Sequence, residues 1–188
     1  MNKRLFDFLK GMVRDPKGRL LRDLQFLKNH RLERDDDAIC WMFPIDGYSK
    51  RYPRAVILSE DELSEIKVNV SIRCAFKISL ARMNVFYKTN TDWITQNNHN
   101  FIRLARILRC LWLAGLKVEY VKLQKFLDEV YLNNSDIIEL SMFLHWKRTC
   151  NEIFNLDDYN ITPTISVEYV LSEIRNLNKN IDEEEIVY

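Results

Sequence analysis

The stretch Asn98–Gly115 constrains this chain more than any other, because it has the best-defined start, period and stop. A side-chain oxygen at Asn98 or Asn100 can accept a free first-turn amide. Phe101, Leu104, Ala105, Leu108, Leu111 and Trp112 then recur at helical spacing as one apolar stripe. Gly115 suits the left-handed conformation that closes a helix. The opposite side is mixed: His99, Arg103 and Arg106 share a face at i, i+4 and i+7, and Ile102, Cys110 and Leu113 lie among them. A helix apolar on one flank and mixed on the other belongs in the middle of a bundle. The expected fold is therefore an all-α, single-domain bundle of about seven helices around this central buried helix.

The totals allow such a bundle and exclude other classes. The chain has 188 residues, 47% apolar and 29% charged, with four Gly and four Pro, which suits one compact, helix-rich core. Its 28 basic residues nearly balance 27 acidic ones, so no global field recruits nucleic acid or an anionic membrane. Cys40, Cys74, Cys110 and Cys150 are widely separated and form no CxxC pair, so neither a zinc site nor a redox motif is signalled. They read as buried, reduced thiols of a cytoplasmic protein. No metal or other cofactor is expected. No apolar run reaches the roughly 18 residues of a spanning helix, and the opening residues are too charged for a signal peptide.

Read in order, residues 1–19 give a short amphipathic helix carrying Leu5, Phe6 and Leu9, then a type I turn at Asp15–Pro16–Lys17–Gly18. Residues 20–154 form the main helical domain. A helix from Leu20 to Asn29 is followed by Asp35, Asp36 and Asp37, which suit the positive end of a short helix that Pro44 stops. Asp46–Arg54 is an irregular loop. Ser59 and Glu62 form a capping box and open a long segment to Tyr87. This segment alternates like a strand from Val68 to Leu80. It also carries a continuous helical stripe of Leu63, Ile66, Val70, Cys74, Ile78, Ala81 and Val85, and with the capping box this favours helix. After the central helix, further helices are expected at Glu119–Leu132 and, capped by Ser135, from Asp136 to Phe154. Residues 155–177 supply a last helix with Thr162 and Pro163 at its start, and 178–188 an acidic tail.

Two motifs then resemble one family. Ile39, Cys40, Trp41, Met42, Phe43, Pro44 and Ile45 stand where that family has a Tyr-Ile-Gln-Trp-Leu-Phe-Pro run. His99, Asn100, Phe101, Ile102, Arg103, Leu104, Ala105, Arg106, Ile107 and Leu108, followed by Gly115, resemble its His-Asn-(aromatic or Leu)-Arg-Ile-Thr-Arg-Ile-Leu helix. The chain is similar, over roughly Leu20 to Phe154, to the conserved N-terminal domain of the opioid growth factor receptor, a domain also found as small stand-alone bacterial proteins. It departs where the family has His-Asp-Tyr, with Asp36, Asp37 and Ala38 instead. The resemblance implies an all-helical fold. Because the animal member is described as a receptor for an enkephalin peptide, it also implies a non-catalytic protein- or peptide-interaction module.

Candidate binding residues follow from both readings: Trp41 and Phe43 as aromatic walls of a peptide groove, and Asn98, His99, Asn100, Arg103 and Arg106 at the start of the central helix. Two guanidiniums, an imidazole and free amides suit a carboxylate or phosphate, so a small enzyme or sensor binding an anionic ligand is the alternative function. Against it, the arginines can pair internally with Asp36, Asp37 or Glu139, while Trp41 and Phe43 can be plain core. No catalytic or metal-binding motif appears. A third reading takes Asp182–Glu185 and the following Ile186, Val187 and Tyr188 as resembling the export signal of type IV secreted bacterial effectors, which would place the protein inside a host cell.

Overall fold

The structure is a computed structural model that describes residues 3–53, 55–151 and 156. Among these residues there are nine α-helices, one 3₁₀ turn and no strand. The helices are α1 (Lys3–Leu9), α2 (Leu21–Gln25), α3 (Asn29–Arg34), α4 (Asp36–Met42), α5 (Glu60–Val68), α6 (Val70–Thr89), α7 (Asn100–Leu113), α8 (Lys117–Asn133) and α9 (Leu140–Lys147). The expected all-α bundle is present, with nine helices where about seven were expected. The last expected helix and the acidic tail lie outside the described residues.

The central position of α7 follows from its burial. Every residue from Asn100 to Leu111 is buried, the three arginines Arg103, Arg106 and Arg109 included. α8, α9 and the 3₁₀ turn pack on one side of it. Its arginine side meets α3 and the end of α4. Gly115, at φ +67°, closes α7 in the left-handed region, as its position predicts. Trp112 departs from the expected stripe: it is partly exposed and its ring tilts against Tyr120 at 5.4 Å.

Two expected helices are divided and a third starts late, each time because a polar group captures backbone atoms the longer helix would have used. The Leu20–Asn29 helix stops at Gln25, since Arg82 Nη2 donates to the Leu27 carbonyl at 2.6 Å and to Asn29 Oδ1 at 2.7 Å; a new helix starts at Asn29. The Ser59–Tyr87 segment is helical, not extended, but breaks at Asn69, whose side chain accepts from the Ile72 amide and caps α6. This restart changes the buried face. Ile72, Ala75, Phe76, Leu80, Met83 and Phe86 enter the core, while Val70, Cys74, Ile78, Ala81 and Val85 of the expected stripe point to solvent. The helix expected from Asp136 begins instead at Leu140, because Ile137 and Ile138 both donate to the Asn134 carbonyl and close a turn.

The capping box at the head of α5 is formed on both sides: the Ser59 amide donates to Glu62 Oε2 at 2.9 Å and the Glu62 amide to Ser59 Oγ at 3.3 Å. Ser59→Ala is expected to lower stability by about 1 kcal/mol, and a urea titration with unchanged slope reads it directly.

Candidate functional site

Helix α7 carries a polar ladder at three-residue spacing, Asn100, Arg103, Arg106 and Arg109, with His99 just before it. Arg103 donates from Nε to Asp36 Oδ1 at 2.7 Å, from Nη1 to the Leu32 carbonyl at 3.1 Å and from Nη2 to the Glu33 carbonyl at 2.9 Å. It thereby ties α7 to the end of α3 and the start of α4. His99 Nε2 lies 3.0 Å from the Glu33 carbonyl oxygen and 3.3 Å from the Glu33 carboxylate, so it too is held by α3. Asn100 donates to both Glu33 carboxylate oxygens, at 3.0 and 3.1 Å, and accepts from the buried Tyr87 hydroxyl at 3.3 Å. Asn98 accepts from the Asn100 amide at 2.9 Å, but the N-cap position falls to His99, whose side chain makes no cap bond.

Arg109 was not legible as a site residue, although it continues the three-residue spacing of Arg103 and Arg106. Its Nε and Nη2 form a two-pronged pair with Asp46, and Nη1 reaches the carbonyls of Thr149 and Asn151, at 3.1 and 2.6 Å. Arg106 differs from both neighbours. It is fully buried, and its one hydrogen bond among the described residues runs from Nη1 to the Phe43 carbonyl at 3.3 Å. The Tyr52 ring lies against it, 5.4 Å from centroid to Cζ, and its Nε and Nη2 have no partner. Burial pushes the nearby Cys40 thiol up to about 11 and the Tyr52 phenol up to about 12, so both stay neutral.

Trp41 and Phe43 sit in the core. Trp41 packs edge-on against Phe8 at 4.9 Å, and Phe43 is fully enclosed. A small polar cleft of about 60 Å³ opens where Arg51, Asn98, Phe101 and Glu139 meet, and His99, Arg103 and Arg106 do not line it. Of the acids expected to pair with the arginines, Asp36 does so, whereas Asp37 pairs with Lys17 and Arg19.

A second accessible feature lies elsewhere, on α6. Cys74, Ile78, Ala81 and Val85 follow the four-three-four spacing of a helix-packing seam and all face outward. Val70, also exposed, extends the row. A groove of about 430 Å³ is lined by Leu80, Leu123 and Phe126 and by charged residues of both signs, Lys88, Lys122 and Lys125 with Glu119 and Glu129. No metal-binding cluster of His, Cys, Asp and Glu and no helix long and apolar enough to cross a membrane occurs among the described residues. Compared with models of protein families, with curated proteins and with solved structures, the chain finds no match.

Proposed function

We propose that the protein is a non-catalytic interaction module whose outward α6 face receives an acidic, amphipathic helix of a protein partner. The observation that carries this reading is the exposed seam of Cys74, Ile78, Ala81 and Val85. Small residues at two of its four positions allow close approach of a second helix, and β-branched residues at the others fill the space between. Solvent-facing apolar residues scattered singly need no explanation, but a helical row does. The charge pattern supports an acidic occupant: α6 contains Arg73, Lys77, Arg82 and Lys88 and no acidic residue. A second copy of the chain would bring the same basic helix against itself. The family resemblance points the same way, towards recognition of a peptide.

The test is selection of helical peptides from a randomised library on the wild-type protein and on Ile78→Asp/Val85→Asp. Both side chains face solvent, so the variant is expected to keep its fold. Enriched peptides are expected to carry an apolar stripe flanked by Asp or Glu, and to bind the wild type at least tenfold more tightly than the variant. Peptides that bind both equally, or a failure to enrich any, would reject the reading. Dimerisation of the wild type that the variant abolishes would give the face to a second copy instead.

A further inference from the structure

We propose that Arg106, with Tyr52 beside it, is a buried binding site for a small oxyanion, a carboxylate or a phosphate-like group offering two oxygens. Along α7 three buried guanidiniums meet two carboxylates: Arg103 holds Asp36 and Arg109 holds Asp46, and the middle cation has neither. The two nitrogens of Arg106 without partners are Nε and Nη2. These form the side of the guanidinium that donates two parallel hydrogen bonds to one anionic group. The third nitrogen is spent on the Phe43 carbonyl, which fixes the plane in which an anion would be gripped. Arg109 uses the same Nε and Nη2 edge on Asp46, so the geometry has a precedent one turn away.

Among the described residues no carboxylate bonds to Arg106: Asp36 and Asp46, which share its surroundings, are held by Arg103 and Arg109. Cys40 and Cys110 lie within the field of Arg106, but burial raises both thiols, so neither becomes a thiolate at neutral pH. The Tyr52 oxygen is also buried without a partner, and the raised phenol remains a donor rather than an acceptor. Donors from two elements, α7 and the loop after α4, therefore lack an acceptor that an oxyanion carries. The site is independent of the α6 face, and either proposal can fail alone.

Isothermal titration of sodium acetate, sodium phosphate and sodium sulfate into the 188-residue chain in low-salt HEPES buffer tests it. At least one anion is expected to bind at one per chain. Tyr52→Phe, which removes one donor and keeps the ring, is expected to weaken that anion about tenfold, Arg106→Met to abolish it, and Ile78→Asp/Val85→Asp to leave it unchanged. Should Arg106→Met fail to fold, Arg106→Lys keeps the charge without the fork and is expected to weaken binding at least tenfold. No saturable binding of any of the three anions to wild type overturns the proposal, as does affinity within twofold of wild type in the Arg106 variant. The relative response to acetate and to phosphate identifies the ligand class.

Discussion

Asp36→Ala is expected to lower the stability of the protein by about 3 kcal/mol, the cost of leaving a buried charge without its partner. The Arg103 side chain is 1% exposed, whereas Asp36 is 37% exposed, so the residue that suffers is the one that cannot reach water. Two carbonyls still accept from Arg103 in the variant, which holds the cost near the low end of the range for broken buried pairs. The double variant Asp36→Ala/Arg103→Met is expected to be the more stable of the two, because a methionine of similar length fills the space without a stranded guanidinium. Urea midpoints of the wild type, both single variants and the double variant close the cycle. If the double variant falls as far as the sum of the singles, the pair acts as two independent contacts and not as a compensated charge.

Trp93→Ala is expected to cost about 4 kcal/mol, within the range for emptying a large aromatic from a core. Trp93 stands in a connection that reads as polar, yet it is buried, and its indole donates to the Tyr87 carbonyl at 3.1 Å. Its ring meets Tyr87 at 5.1 Å and Phe101 at 6.1 Å, both edge-on, and Phe101 in turn meets Trp146 at 5.8 Å. Removing it opens a void in the middle of this aromatic row and strands the carbonyl of Tyr87. Trp93→Phe is expected to restore about half of the loss, since it returns ring volume but no donor. Chemical denaturation of the three proteins under one buffer condition measures both steps.

Much of the fold can be read from local signals, because those signals are covalently close. The capping pair Ser59 and Glu62, the turn from Asp15 to Gly18, and the closure of α7 at Gly115 all appear where their residue types put them. Helix breaks at Phe26, Asn69 and Asp136 are less legible, because each depends on a partner or a turn that periodicity does not encode. Asn69 is the clearest case: a seven-residue apolar row spans it without interruption, but a side-chain cap resets the phase and turns five of the seven outward. The same limit applies to the arginines. Their shared face and the pairing of Arg103 with Asp36 can be anticipated from charge and spacing. That Arg109 takes Asp46 and the backbone after α9, leaving Arg106 without an acid, depends on contacts spanning 40 to 63 positions in the chain.

Because α7 bonds backward across 71 positions to Leu32 and forward across 42 to Asn151, it belongs to neither half of the chain. Peeling away either end would leave a guanidinium facing apolar side chains, so partial unravelling gains little freedom for a large electrostatic loss. Melting should thus be all-or-none, with the slowest-exchanging amides of the molecule on this helix and no autonomous fragment on either side of it.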